Sequence, residues 1–285
     1  MNNHSLFSVL IAQYNNGRFL QTAIDSIKAQ TYTNWEIILV DDASTDDSTE
    51  LYKSYENDGR IKIYYNEENR GCGYTKKRCA ELANGEIFGF LDPDDALTED
   101  ALELSVKCHE ENPEAGLVYT NRIVCNESMI PYTVSKCKQV TDYSVDYFKS
   151  NTCYPISHFA TFKKSVYNMT EGIDGFLKRA FDSDIYLKMC EAAPVKYLDK
   201  DLYYYRVHRG GISTYENVEK SLYWRWVGLI KMAERRGVNL EDLFVRTYVS
   251  RVKYDKLQAK INRIKEIWFV KLARKSGILK LLKLK

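Results

Sequence analysis

The 285-residue chain has no apolar run near the ~18 residues that a membrane span needs. It has no CxxC pair, and its seven cysteines are an odd number, so a disulfide framework is not expected and a reducing cytoplasm is. The first residues, Met1 to Ser5, carry no positive flank or apolar core, so a secretion signal is not expected either. There is no bulk charge of one sign. Lys and Arg number 41 against 39 acids, which excludes a basic nucleic-acid coat and an acidic disordered solvator. Internal repeats and the G-x-G-x-x-G fingerprint are also missing. What is present is an ordinary globular composition, 45% hydrophobic and 28% charged, with an excess of tyrosine at 22 residues. The charge is uneven: the stretch from Lys260 to Lys285 holds a local +8, leaving a mildly acidic body.

Over the first 120 residues, short β-rich runs alternate with helical patterns. Strands are expected at Leu6–Ala12, Trp35–Val40, Arg60–Tyr65, Glu86–Leu91 and Gly116–Thr120. Between them, Phe19, Leu20, Ala23, Ile24 and Ile27 mark one helix face. Lys76–Ala83 and Leu102–Glu111 read as further helices, and a helix start is expected around Ser44 to Asp47. Such alternation predicts an α/β fold with a largely parallel sheet between layers of helices. From 121 to 215 the alternation fades. Pro155–Phe162 reads as a strand, Asp182–Ala192 as a helix and Val195–Val207 as one or two strands, and from Glu216 the chain reads as helical.

Ligands of open α/β sheets bind beyond the carboxyl ends of the strands. In this sequence those ends carry Gln13-Tyr14-Asn15, then Asp41-Asp42, then Asp92-Pro93-Asp94-Asp95. Asp92 and Asp94 flank a proline that restricts the backbone, and like charges held this close call for a proton or a cation. Mg²⁺ or Mn²⁺, completed by substrate phosphates and water, would satisfy them; the same residues also suit a plain turn. Asp41 could accept from a ribose or base, whereas Asp46 and Asp47 read as helix-capping acids. Gly71 and Gly73 would allow close approach of a ligand, with a cation among Lys76, Lys77 and Arg78 on a diphosphate and the others solvated.

Three segments together resemble the inverting family 2 glycosyltransferases of GT-A fold that build bacterial cell-surface polysaccharides. They are VLIAQYNNGRFLQTAIDSIKAQTYTNWEIILVDDASTDDS (Val9–Ser48), ENRGCGYTKKRCAELANGEIFGFLDPDD (Glu68–Asp95) and, more weakly, RAFDSDIYLKM (Arg179–Met189). The resemblance implies a Rossmann-like mostly parallel sheet flanked by helices, with a C-terminal helical extension. Residues 1–215 would form the catalytic domain (1–120 the donor half, 121–215 the acceptor half) and 216–285 a helical region with a basic tail. It also implies a nucleotide-sugar donor, most often UDP-linked, a divalent metal and a saccharide or lipid-linked saccharide acceptor, with no nucleic acid involved. Asp94 would ligate the metal and Asp92 touch the ribose or the metal shell. Asp41 would read the nucleobase, with Gln13, Tyr14 and Asn15 packed against it. Lys76 falls where the family commonly has an Arg on the diphosphate, and lysine loses the bidentate fork. The family's base lies at a helix start, where this chain has Phe181-Asp182; Asp182 is the candidate and Asp184 the fallback, though both also suit helix-dipole acids. His208 would be a further metal ligand or a phosphate contact. His158 suits an acceptor-side or a core role, and Trp224 and Trp226 suit helix packing.

Two other classes remain compatible with the sequence. A nucleotidyltransferase would also use a carboxylate–metal site, but with a Gly-rich basic signature near the N-terminus. A non-catalytic nucleotide-sugar binding module would keep Asp41 and Asp94 without a base. The tail from Ile261, with Ile264, Trp268, Leu272, Leu279 and Leu282 among lysines, has a basic amphipathic pattern suited to the inner face of an anionic membrane, or to packing on the body with its cations exposed.

Overall fold

The computed structural model describes residues 5–150, 155–247 and 251–266. Nine strands and ten α-helices are described. They run β1 (Phe7–Gln13), α1 (Gly17–Lys28), β2 (Trp35–Asp41), α2 (Ser48–Tyr52), β3 (Ile61–Tyr65), α3 (Cys72–Leu82), β4 (Ile87–Phe90), β5 (Ala96–Leu97), α4 (Ala101–Glu111) and β6 (Leu117–Cys125). There follow β7 (Pro131–Ser135), α5 (Val145–Ser150), β8 (Ala160–Lys163), α6 (Lys164–Tyr167), α7 (Phe181–Ala192), β9 (Val195–Arg206), α8 (Val218–Arg236), α9 (Glu241–Thr247) and α10 (Arg251–Glu266).

The strands form one sheet in the order β3-β2-β1-β4-β8-β6-β9-β5, with β7 added beside β6. Strands β3, β2, β1 and β4 are parallel, β8 runs against its neighbours β4 and β6, and β6 and β9 are again parallel. The mostly parallel, helix-flanked sheet agrees with the expected fold class. All seven residues of β1 and of β2 are buried, as continuous apolar runs covered on both faces should be. On one face Phe7, Val9, Ile11, Ile37 and Leu39 pack with Leu20, Ala23, Ile24 and Ile27 of α1, a stripe with helical spacing. Each fully buried Val, Leu, Ile or Phe side chain contributes about 1.5–3 kcal/mol of transfer free energy. The other face is closed by α3, whose buried Cys79 lies 3.4 Å from the Ile11 carbonyl.

Two elements differ from the sequence expectation. The helix expected at Ser44 starts only at Ser48, because residues 41–48 are tied into a loop by Asp41, Ser44 and Asp46. The short strands β5 and β7 had no clear period, being two residues long and an exposed edge respectively.

The chain divides into compact units Met1–Gly237 and Val238–Lys285. The first reaches past residue 215 because α8 packs on α7. Leu229, Met232 and Ala233 are buried, and Arg235 meets Glu191 at 2.8 Å. Gly237, with φ of 63°, ends α8 in the left-handed conformation that glycine adopts at little cost. In the second unit α10 exposes Leu257, Ile261 and Ile264 beside Lys256, Lys260 and Arg263. Trp268, Leu272, Leu279 and Leu282 lie outside the described residues. No helix among the described residues is long and apolar enough to cross a membrane.

Candidate active site

The carboxyl ends of β1, β2 and β4 open into a cavity of about 470 Å³, closed on the far side by α7 and the 205–214 segment. That volume suits a ligand of nucleotide size. Gln13, Tyr14, Asp42, Lys76, Asp92, Asp94 and Asp182 all line it, although they lie far apart in the sequence.

At the β4 end each of the three acids has a different partner. The Asp94 carboxylate lies 2.7 Å from Nε2 of His208, which is buried. Asp92 is 2.6 Å from the Lys76 ammonium. Asp95 is fully enclosed, accepting from the Tyr203 hydroxyl and the Arg206 backbone N–H, each at 2.7 Å. Burial, with the charges of Asp94 and Asp92 added, pushes the Asp95 carboxyl well above the usual range. Three acids on a tight turn thus divide their tasks, and Asp94 lines the cavity with the buried His208 imidazole behind it. Carboxylate and imidazole fit a small divalent ion whose other ligands are phosphates and water. Among the described residues no third His, Cys, Asp or Glu joins them, and Asp92 is engaged by Lys76 instead.

Lys76 is the only one of the cations Lys76, Lys77 and Arg78 that lines the cavity; Arg78 donates to the Tyr65 carbonyl at 2.7 Å. Lys76 is buried, with its Nζ 5.0 Å from the Phe90 ring centroid and 4.8 Å from that of Phe181. Burial alone would lower its pKa, but the charge and hydrogen bond of Asp92, with the charges of Cys72 and Asp182, together more than offset this and raise it. Reciprocally, burial would raise Asp92, and the charge and hydrogen bond of Lys76 together with the His158 charge hold it below the ordinary carboxylate value. The pair is therefore ionised at neutral pH. The two glycines before Lys76 serve packing. Gly71 has φ of 89° and gives its N–H to Asp42, and a Cβ on Gly73 would meet the Leu177 carbonyl at 2.5 Å.

At the β2 end the structure separates two neighbours. Asp41 is buried and absent from the cavity wall; its carboxylate accepts from the Ser44 N–H at 2.7 Å and from the Tyr52 hydroxyl. Asp42 lines the cavity instead, held by Asn66, the Arg70 N–H and the Gly71 N–H at 2.6–2.9 Å. The reason is the period of two along a strand: adjacent residues face opposite ways. Tyr14 is an exposed wall residue. Gln13 is buried against Ser48, with its amide 2.7 Å from that hydroxyl. Asn15, at φ of 49°, turns away to cap Thr45, and Asn16 takes its place on the wall.

Across the cavity, α7 begins after Ala180 in the left-handed region, φ 54°. Two positions along a helix do not share a face. Asp182 therefore looks into the cavity, its side chain one-third exposed, while Asp184 is wholly buried in an ion pair with Lys188 at 2.8 Å. That assigns Asp184 to structure. The Ser183 N–H donates to Asp182 at 2.9 Å, and Nε2 of His158 lies 3.7 Å from its other oxygen. Buried His158 stacks on Tyr203 at 5.1 Å, and burial lowers its pKa against the raising charges of Asp92 and Asp182. Arg122, Tyr205 and Arg206 complete this wall; Tyr205 and Arg206 belong to the 205–208 segment that resembles the family's late loop near the diphosphate, whereas Arg122 carried no sequence signal. They come from the β6–β9 pairing, which no local pattern announces.

A mostly parallel, helix-flanked sheet with a cavity at its strand ends, lined by Asp94 on one side and Asp182 on the other, is the arrangement of a GT-A fold. Residues 8–169 match the family model described as glycosyl transferase family 2, and the chain belongs to that family. It is 32% identical to the chondroitin synthase of Escherichia coli over 200 residues, which is 70% of this chain and 28% of that one. It is 28% identical to the glycosyltransferase GlyG of Streptococcus pneumoniae over 222 residues, 73% of this chain and 72% of that one. The chain thus spans only about a quarter of the synthase's length. Among solved structures, S. aureus TarS in complex with UDP-GlcNAc has the same fold, with a TM-score of 0.63 at 21% identity, covering 80% of this chain and 66% of that one.

Proposed function

We propose that the chain transfers a sugar from a nucleoside diphosphate, a UDP-sugar, to a hydroxyl of a saccharide or lipid-linked saccharide, with inversion, in the synthesis of a bacterial surface polysaccharide. The observation that carries this reading is the convergence in one cavity of Asp94, backed by the buried His208, the Lys76–Asp92 pair and, opposite them, the cavity-facing carboxylate of Asp182. The relatives named for chondroitin and teichuronic acid synthesis, and the UDP-GlcNAc complex of TarS, support the choice of polymer and donor.

Tyr14 and Asp42 form the wall for the nucleoside, and Lys76, oriented by Asp92, meets the diphosphate. Mn²⁺ or Mg²⁺ held by Asp94 and His208 would supply Lewis-acid stabilisation of the charge on the leaving diphosphate. Asp182 takes the proton of the attacking hydroxyl. The acceptor oxygen bonds to the anomeric carbon, the bond from that carbon to the phosphate oxygen breaks, and its electron pair leaves with the diphosphate. A single displacement of this kind inverts the centre and needs no covalent enzyme intermediate.

A thermal-shift panel with Mn²⁺ and the common nucleotide-sugars tests the reading. Binding to the native state alone raises stability by RT ln(1 + [L]/Kd), about 2.7 kcal/mol at a hundredfold excess over Kd. The expected result is a Tm rise for UDP-linked donors with Mn²⁺ that exceeds the rise for either alone. A flat panel would remove the donor class.

The same reading places the C-terminal segment on an anionic membrane surface at the inner face of the cell membrane. The exposed Leu257, Ile261 and Ile264, set among cations on α10, support it. The full chain is expected to co-sediment with phosphatidylglycerol vesicles, and a version ending at Ala259 is expected to remain in the supernatant. Equal partition of the two would dismiss the membrane role.

A further inference from the structure

Beyond Lys76 the cavity wall carries further cations that the transfer chemistry above leaves unused, and Arg122 is the half-buried one among them whose side chain has no hydrogen-bond or ion-pair partner among the described residues. Arg122, on β6, lines the cavity with its guanidinium over the Tyr205 ring, 4.6 Å from the centroid. Its buried Nε has no hydrogen-bond partner, and among the described residues Arg122 is in no hydrogen bond or ion pair through its side chain. The other buried or half-buried cations of the wall are occupied. Lys76 is paired with Asp92, Arg179 donates to the Ile212 carbonyl at 2.7 Å and to Asn217 at 3.1 Å, and Arg206, though its buried Nη2 lacks a partner, is tied down by donating to the Asp94 carbonyl at 2.6 Å and to the Glu127 carbonyl. Lys178 is exposed to water.

A half-buried guanidinium that loses water and gains no protein acceptor is costly, and the cost is recovered when a ligand supplies the acceptor. Stacking on Tyr205 holds the planar fork in place, the state in which Arg recognises carboxylate or phosphate with two parallel bonds. Its place in the sheet indicates which part of the reaction it serves. β6 lies three strands from β1, about 14 Å at the usual strand spacing, so Arg122 is remote from the Gln13–Tyr14 wall. Arg122 stands in register with Tyr203 of β9, whose ring stacks on His158, and His158 reaches Asp182 at 3.7 Å. The positive charge of Arg122 is felt at both His158 and Tyr186, on the Asp182 side of the cavity.

We propose that Arg122 is an anion-binding subsite for the acceptor, so that the acceptor carries a carboxylate or a phosphate close to its reacting hydroxyl. The proposal rests on the reading of Asp182 as the acceptor-side base. It gives the acceptor a chemical class: an acidic saccharide or a phosphate-bearing chain rather than a neutral glycan.

The test is calorimetry on the full chain with UDP and Mn²⁺ present. The probes are a trisaccharide ending in a uronic acid, the same trisaccharide with that acid reduced to the alcohol, and one bearing a phosphate monoester. Wild type is expected to bind an anionic probe about ten- to a hundredfold more tightly than the reduced one, the range of a charged hydrogen-bonded pair. Which anionic probe wins tells carboxylate from phosphate. Arg122→Gln should erase the difference while UDP affinity stays unchanged, and Arg122→Lys should keep part of it. The proposal is overturned by a wild type that does not discriminate, by an Arg122→Gln chain that still does, or by equal weakening of UDP, which would move Arg122 to the donor. Normal turnover by Asp182→Asn would remove the base assignment alone and leave this binding comparison to be judged separately.

Discussion

Asp182→Asn is expected to lower kcat by about a hundred- to ten-thousandfold, the range supplied by a positioned general base, with the Kd for UDP unchanged. The separation follows from the architecture. Asp182 is on α7, and the donor wall is built from the ends of β1, β2 and β4, so the substitution removes the proton acceptor without touching the nucleotide. Asparagine keeps the shape of the side chain and can still accept from the Ser183 N–H, now 2.9 Å from the carboxylate, so the start of α7 should hold. Calorimetry with UDP and single-turnover transfer on the same sample give both quantities. Asp184→Asn is the contrasting control. That carboxylate is fully buried and paired with Lys188 and, at 3.8 Å, with Arg235. Breaking it takes from the buried Lys188 its close carboxylate, while Arg235 keeps Glu191; the loss, about 3–5 kcal/mol, should appear as a lower Tm. A normal kcat in Asp182→Asn, or loss of UDP binding together with activity, would refute the base assignment.

The frame of this site could be read from the chain because strand ends are a local property. Buried runs such as Ile37–Val40 declare themselves by composition, and the acids that follow them must then emerge at one edge of a parallel sheet. The choice between Asp41 and Asp42 could not be read in that way. Both follow the same strand, and which one faces the ligand depends on a one-residue register that only the packing of β2 between β1 and β3 decides. Asp182 and Asp184 were ambiguous for a related reason, since both sit in a helical first turn and only burial under α8 separates them. Arg122, Arg206 and Tyr203 belong to a different level. Tyr203 and Arg206 reach the DPDD turn, and Arg122 the cavity wall, through the pairing of β6 with β9, contacts between residues roughly 80 or more apart, for which the sequence between 121 and 215 has no period to follow.

Asp94→Ala should abolish the Mn²⁺-dependent part of UDP binding and reduce transfer by about a hundred- to thousandfold, the usual effect of removing one preorganised electrostatic contact to the leaving group. The fold should tolerate it. The backbone carbonyl of Asp94 accepts from Arg206, a bond that alanine keeps, whereas its carboxylate meets only His208. Asp95 is the structural acid of the turn, tied to Tyr203 and to the Arg206 N–H, so Asp95→Ala should lower Tm through the loss of buried hydrogen bonds. Removing the Asp94 charge also acts in the stabilising direction, because that charge, after burial, is a main cause of the raised Asp95 pKa. A carboxyl lifted in this way costs the fold stability above its unfolded pKa, and relief of the neighbouring charge reduces that cost. The signature of a metal-holding acid is thus a chain whose Tm is equal to or above wild type and whose affinity for UDP no longer responds to Mn²⁺. Titrations of UDP with and without Mn²⁺, alongside melting curves for Asp94→Ala and Asp95→Ala, separate the two acids. An Asp94→Ala chain that keeps the Mn²⁺ response would show that Asp94 does not hold the ion.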